Sequence, residues 1–114
     1  MLNHAGKPLW RRFDLFDDNH DHAYMFHFAD LGGDGQEEML APMSDVGLVA
    51  FNPRDGKVLW WRQAEHSQRL AVGNFLAQGR SPHLAVGARL YGNRQFEPYL
   101  YSQVHWFDAA GTAL

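Results

Sequence analysis

An internal repeat constrains this chain more than any other feature of its sequence. The segment Gly6–Arg12 recurs 50 positions later as Gly56–Arg62, and both copies contain the pattern Gly-Lys-x-Leu-Trp. The segment Phe107–Leu114 then repeats Phe51–Leu59 with one turn residue fewer. Repeat periods of roughly 20–50 residues are typical of solenoids and propellers. The sequence therefore predicts stacked copies of one supersecondary unit.

A second set of equivalent positions lies between these turns. His22–Leu31 aligns with His66–Phe75, 44 positions later, and each copy begins with His and has Asp or Asn at its ninth position. The offsets 50 and 44 differ because the connecting loops differ in length. Insertions confined to loops are typical of stacked repeats, whose strands must keep a common length.

Each repeat contains about four short segments typical of β-strands. Residues 9–16 alternate with period 2, residues 48–51 lead into a turn rich in Pro and Gly, and residues 99–107 are strongly β-favouring. Four strands in roughly 45–50 residues is the spacing of a propeller blade. The sequence therefore predicts an all-β fold of two four-stranded antiparallel blades, which is a partial β-propeller.

The repeat also predicts the blade boundaries. We expect residues 1–16 to be the last strand of a preceding blade, residues 17–62 to be one blade, and residues 63–114 to be a blade lacking most of its last strand. Two blades do not close a ring, which typically needs about four to eight. We therefore expect a fragment of a larger propeller, or a protomer that completes its ring by self-assembly.

The apolar positions of these strands are the predicted core. Strands that stack face to face bury the side chains on their facing surfaces. We expect the following residues to be buried: Leu40, Val49, Leu59, Trp60, Leu70, Val72, Leu84, Val86, Val104 and Phe107.

Composition excludes several classes of partner and chemistry. The chain of 114 residues has 10 Lys and Arg against 13 Asp and Glu, a net charge of −3, so we expect no binding to nucleic acid. Cysteine is absent, which excludes disulfides and thiolate metal sites. No apolar run approaches the ~20 residues of a membrane span, so none is expected. The first eight residues lack the regions of a signal peptide.

A Gly-rich acidic segment, 30–39, is the candidate metal site. Carboxylates at alternate positions of a turn can surround one hard cation such as calcium, and here Asp30, Asp34 and Glu38 are the candidate ligands. Gly32 supplies no side-chain oxygen, so such a site would be weak or completed by water. The alternative is a tight turn in which Asp30 accepts backbone N–H groups.

The same segment, Asp-Leu-Gly-Gly-Asp-Gly-Gln-Glu-Glu-Met, resembles the Asp-x-Asp-Gly-Asp-Gly-x-Asp-Glu signature of FG-GAP/VCBS-type β-propeller repeats. The strand before it and the Gly-x-Leu-Trp strand about 25 residues after it are similar to that family as well. The paired His22 and His66, with the phrase His-Ser-Gln-Arg-Leu-Ala-Val-Gly-Asn-Phe that begins at His66, further resemble propeller polysaccharide lyases of the rhamnogalacturonan-lyase-like kind.

Histidines and arginines at equivalent positions of the repeat are the candidate functional residues. His22 and His66 each precede the first strand of a blade, so they should lie near one another on one face. They are either functional or paired structurally with the adjacent blade. Arg12 and Arg62 are also equivalent, and either bind uronate carboxylates or pair with an acid at a blade edge. The polar and aromatic insertion after Leu90 adds Tyr91, Arg94 and Tyr99 as candidate ligand-binding residues.

The resemblances imply a function in carbohydrate chemistry. They imply a secreted protein, extracellular or periplasmic, whose propeller scaffold binds polysaccharide or a protein partner through loops on one face. A lyase needs a base, a proton donor and a cation for the uronate carboxylate, and His22, His66 and Arg62 are the candidate catalytic residues. The alternative is a non-catalytic FG-GAP-type interaction propeller.

Overall fold

A computed structural model describes residues 1–11, 22–44, 46–76, 81–90 and 101–114. The regular structure of these residues is entirely β, in seven strands that form two antiparallel sheets. The first sheet has the order β1-β2-β3-β4, and the second has the order β5-β6-β7. The strands are β1 His27–Ala29, β2 Glu38–Met43, β3 Gly47–Phe51, β4 Val58–Arg62, β5 His66–Gly73, β6 His83–Leu90 and β7 Tyr101–Phe107. The predicted all-β fold with two antiparallel sheets is confirmed.

The first sheet is a four-stranded meander, as predicted for a blade. Strand β2 pairs with β3 from Met39↔Phe51 to Met43↔Gly47, and β3 pairs with β4 through a register shift next to Phe51. All five residues of β3 are buried, and so are the last five of β2. A strand that is buried on both faces needs a covering layer on each side, and the fold supplies both layers.

Among the described residues the second sheet has three strands, where the sequence predicted a four-stranded blade whose last strand is mostly missing. The segment after the last turn, Thr112–Leu114, returns along β7 but forms a single bridge, Phe107↔Ala113. The backbone N–H of Leu114 also donates to the carbonyl of Trp106, at 2.9 Å. One bridge is too little for a strand, and the fourth position of this sheet is only begun. The two sheets do not close into a ring.

A hydrophobic core lies between the two sheets. It is formed by the side chains Leu31, Leu40, Leu48, Ala50, Ala64, Leu70, Leu84, Val86 and Phe107. A second core lies on the other face of the first sheet, where Met39, Ala41, Met43, Val46, Val49 and Phe51 pack against Trp10 and Ala23. The first sheet is thus sandwiched between the N-terminal segment and the second sheet.

The prediction of buried residues is confirmed for six of ten positions, Leu40, Val49, Leu70, Leu84, Val86 and Phe107. Trp60 and Val72 are partly buried against the core between the sheets. Leu59 and Val104 were wrongly assigned to the core, since their exposed fractions are 48% and 59%. Both lie on strands with one covered and one open face, and they point to the open one.

Three turns in the chain have the same backbone design. We call them the first turn (residues 3–7), the second turn (52–57) and the third turn (108–112). In each, the opening Asn or Asp side chain accepts a backbone N–H two residues later, and a glycine N–H donates to the opening carbonyl. The glycines have φ of 73°, 71° and 76°, a left-handed conformation that glycine adopts without steric cost. The sequence repeat is therefore also a structural repeat.

Candidate functional site

The structure brings His22 and His66 together at the junction of the two sheets. Residues 22–24 run beside the end of β2, where the Ser44 N–H donates to the His22 carbonyl at 2.9 Å and Ala23 bridges Met43. His66 is the first residue of β5. The centroids of the two imidazole rings are 6.5 Å apart. This is the proximity expected of repeat-equivalent residues that each precede a first strand.

Tyr24, His66 and Ser44 form a hydrogen-bonded chain at this junction. The Tyr24 hydroxyl lies 2.9 Å from His66 Nε2, and the Ser44 hydroxyl lies 2.8 Å from His66 Nδ1. Ser44 is buried and the exposed fraction of His66 is only 7%, whereas that of Tyr24 is 40%. The chain thus leads from a buried hydroxyl, through a buried imidazole, to a phenol at the surface.

This arrangement is suited to moving a proton. A neutral imidazole donates from one ring nitrogen and accepts at the other, so His66 accepts from one hydroxyl while it donates to the other. Proton transfer between positioned groups of this kind is the basis of general acid–base catalysis. The exposed His22 ring packs edge-to-face on Tyr24, with 4.6 Å between ring centroids. An external ligand at this surface would meet the Tyr24 ring and His22 first.

Arg62 is directed at the third turn, not at the histidine pair. Its Nε donates to the Gly111 carbonyl at 2.6 Å, and one terminal nitrogen lies 3.4 Å from the Ala110 carbonyl. The guanidinium also lies over the Trp60 ring, 5.7 Å from its centroid. These contacts tie the first sheet to the third turn. The role of Arg62 toward a uronate stays a prediction, and the described contacts give this side chain a structural role.

The carboxylates of the acidic segment accept backbone N–H groups. The Asp30 carboxylate accepts from Gly33, Asp34 and Gly35 at 2.7–3.1 Å, and Glu38 accepts from the N–H of Leu31 at 2.9 Å. The Gly35 N–H, followed by those of Asp34 and Gly33, lowers the pKa of Asp30 below its ordinary value. This is the geometry of the tight-turn alternative.

Calcium at Asp30, Asp34 and Glu38 stays a prediction. Asp34 also accepts a backbone N–H, from Gln36 at 2.8 Å. Within the described part of the chain, no three His, Asp or Glu side chains are grouped so that they could hold a metal ion. A cation at this segment would have to share oxygens that already stabilise the turn.

Four predicted ligand-binding residues, Arg12, Tyr91, Arg94 and Tyr99, lie outside the described residues. Conversely, Tyr24 and Ser44 belong to the site and were not predicted from the sequence. Tyr24 has one available signal, since it lies two positions after His22 and therefore on the same side of an extended segment. Ser44 has none, because its contact with His66 arises from the packing of one sheet on the other.

Comparisons with protein-family models, with curated proteins and with solved structures find no match for this chain. In the residues that the structure describes, no helix has the length and apolar character needed to cross a membrane.

Proposed function

We propose that this chain is a propeller-type repeat scaffold of an extracellular or periplasmic carbohydrate-active protein. Polysaccharide binds at the surface formed by His22 and Tyr24. The observation that supports this proposal best is the Tyr24–His66–Ser44 chain, because a surface phenol is held in place there by a buried imidazole. The repeated turns and stacked sheets support the scaffold part of the proposal.

The chemistry of the surface suits a sugar. A partly exposed aromatic ring offers an apolar surface for the C–H groups of a pyranose, and its hydroxyl offers a polar end. Tyr24 combines both, and its hydroxyl is fixed by the bond to His66 rather than free to rotate. A fixed polar group loses less conformational freedom on binding than a mobile one. Binding at His22 and Tyr24 is therefore the step that the described geometry supports most directly.

Cleavage beside a uronate is the reaction that this surface would perform in the complete protein. Such a step needs a base for the proton next to the carboxylate. The Tyr24 hydroxyl and His66 are a pair able to accept this proton and to return it to the glycosidic oxygen, as a carbon–carbon double bond forms and the bond from carbon to that oxygen breaks. Arg62 stays the predicted cation for the carboxylate, and its guanidinium also donates to the third turn.

The test is a binding titration with acidic and neutral oligosaccharides by calorimetry and thermal shift. A ligand that binds only the native state raises the melting temperature in proportion to occupancy. We expect an acidic oligosaccharide to bind, and Tyr24→Phe and His22→Ala each to weaken it at least several-fold. Trp106→Ala is the matched control, since it removes an exposed aromatic residue elsewhere. No binding by the folded native chain, or equal loss in all three variants, would contradict the proposal.

A protein partner is the second candidate, and a different surface favours it. Phe75 and Trp106 are exposed and pack edge-to-face with 5.5 Å between ring centroids. Exposed Val104 lies on the same strand as Trp106. Exposed apolar patches of this kind mark protein interaction sites. If this candidate is correct, Trp106→Ala weakens capture of the partner and Tyr24→Phe leaves it unchanged.

A further inference from the structure

The first turn has the design of the second and third turns, but in the described part of the chain no tryptophan covers it. We infer that it is a docking surface for a β-strand of another repeat unit that carries the pattern Trp-x-Arg. The inference rests on the repeat-scaffold part of the proposed function and is independent of glycan binding. It follows from a comparison of the three turns within one molecule.

The second and third turns are each covered by a tryptophan from the preceding repeat. A Cβ built on Gly56 would lie 2.6 Å from Cε3 of Trp10, and one built on Gly111 would lie 3.0 Å from Cε3 of Trp60. Both glycines are buried. Only a residue without a side chain lets an indole approach the turn this closely. Glycine is therefore required at these two positions for two reasons: the left-handed φ and the close approach of the indole ring.

Polar contacts make the fit specific. The Trp10 Nε1–H donates to the Pro53 carbonyl of the second turn, at 2.7 Å. At the third turn, Arg62 donates to the carbonyls of Ala110 and Gly111. Residues two positions apart point to the same side of a strand, so Trp60 and Arg62 contact the turn together. A Trp-x-Arg strand thus recognises a glycine turn by shape and by its carbonyls.

The first turn presents the same features without that cover. Gly6 has φ of 73°, and a Cβ built on it meets no atom of the described residues within 4 Å. Leu2 occupies the position of Phe51 and Phe107, yet its exposed fraction is 59%, against 3% and 4% for those two residues. The carbonyls of Ala5 and Gly6 correspond to those that Arg62 contacts in the third turn. The first turn therefore has the glycine conformation and the carbonyls that a Trp-x-Arg strand contacts, and its apolar residue, Leu2, is exposed.

None of the four tryptophans of the chain is the occupant of the first turn, because each of them is already placed elsewhere. Trp10 and Trp60 cover the other two turns. Trp61 Nε1 donates to the Val46 carbonyl at 2.9 Å, and Trp106 packs on Phe75. The partner is thus a separate strand with an indole and a guanidinium two residues apart. The segment 59–62 of this chain, Leu-Trp-Trp-Arg, is an example of its chemistry.

The test is a titration of the labelled full chain with a peptide that copies residues 56–63, followed by NMR. An indole ring shifts the resonances of protons above its face upfield. In the free protein we expect this shift at the α-protons of Gly56 and Gly111 and not at those of Gly6. Addition of the peptide at millimolar concentration should produce a saturable upfield shift at Gly6. It should leave the other two glycines unchanged.

Three matched controls decide the outcome. A peptide with Leu in place of the Trp that copies Trp60 should cause no shift at Gly6. Gly6→Asn should abolish the response and barely change the melting temperature, because Asn tolerates this φ but places a Cβ where the indole must lie. Gly111→Asn should destabilise the protein, because Trp60 already occupies that space.

Three results would overturn the inference: no shift at Gly6 with saturating peptide, an equal shift with the Leu peptide, or an unchanged shift in Gly6→Asn. None of these results would bear on glycan binding, which is measured at Tyr24 and His22. Conversely, a failure of glycan binding would leave the shift at Gly6 unaffected. The two proposals are therefore tested separately.

Discussion

At the scale of single residues, His66 holds the candidate site together. It is buried, and both of its ring nitrogens lie within hydrogen-bond distance of a hydroxyl. A buried polar group that loses its partner costs the full free energy of its desolvation. The two hydroxyls therefore stabilise the junction of the sheets as well as the candidate site.

The first prediction concerns Ser44. Ser44→Ala should lower the free energy of unfolding by about 1–3 kcal/mol, because it leaves His66 Nδ1 buried without its hydroxyl partner. Chemical denaturation measures this value. Ser102→Ala, on the exposed face of β7, is the control and should change stability by less than about 0.5 kcal/mol. Equal effects of the two substitutions would show that the bond to His66 contributes nothing to folding.

The second prediction concerns Asp30 and pH. Three backbone N–H groups lower its pKa in the folded protein below the ordinary value of 3.8. A carboxyl with a lowered folded pKa stabilises the protein above its unfolded pKa, and this stabilisation is lost as pH falls through the folded pKa. Below about pH 4, the free energy of unfolding of Asp30→Asn should therefore fall less steeply with decreasing pH than that of the native chain. An identical acid dependence would contradict this.

The sequence predicted the placement of single residues where that placement followed from the repeat alone. The equivalence of His22 and His66 was sufficient to predict that they lie close together. Arg62 shows the limit of this reasoning, because its main contacts are with the Ala110 and Gly111 carbonyls, 48 and 49 positions away. Such contacts depend on how one sheet stacks on the next, which the pattern within a strand does not encode.

At the scale of elements, turn residues determined more of the fold than strand residues did. Three turns of one design are opened by Asn3, Asn52 and Asp108. The sequence predicted the second turn from its Pro and Gly content, and the repeat placed the other two at equivalent positions. The strands were predicted from alternation at residues 9–16, from the turn after residues 48–51 and from the β-favouring residues 99–107. These signals mark a strand but do not say which of its faces will be covered. That is why Leu59 and Val104 were wrongly predicted to be buried.

Gly47, the first residue of β3, provides the third prediction. Gly47 has φ of 116°, and a Cβ there would lie 2.2 Å from the Arg62 carbonyl oxygen. Gly47→Ala should therefore cost more than about 3 kcal/mol of stability, since backbone must move. Gly32 does not have a left-handed φ, and the atom nearest to a Cβ built on it is 3.8 Å away. Gly32→Ala should therefore change the free energy of unfolding by less than about 1 kcal/mol. Equal costs measured by denaturation would contradict this account.

At the scale of the whole molecule, stability arises from stacking. The first sheet is covered on one side by the second sheet and on the other by Trp10 and its neighbours. In stacked repeats each unit contacts only its neighbours, so stability is approximately a sum of unit and interface contributions. The first turn and the outer face of the second sheet are the two places where this stacking stops in the described chain.

The last prediction tests whether the two sheets fold as one unit. Leu84 is fully buried between them, whereas Leu59, a residue of the same size, is half exposed. Leu84→Ala removes buried methyl groups and leaves a cavity, which should cost about 2–5 kcal/mol. Leu59→Ala should cost less than about 1 kcal/mol. Because the Leu84 side chain packs against both sheets, its loss should move a single unfolding transition to a lower denaturant concentration. Tryptophan fluorescence follows this transition and includes the signals of Trp60 in the first sheet and Trp106 in the second. Far-ultraviolet circular dichroism follows the same transition through the strands. Two separate transitions, or equal costs for the two leucines, would mean that the core between the sheets does not couple them.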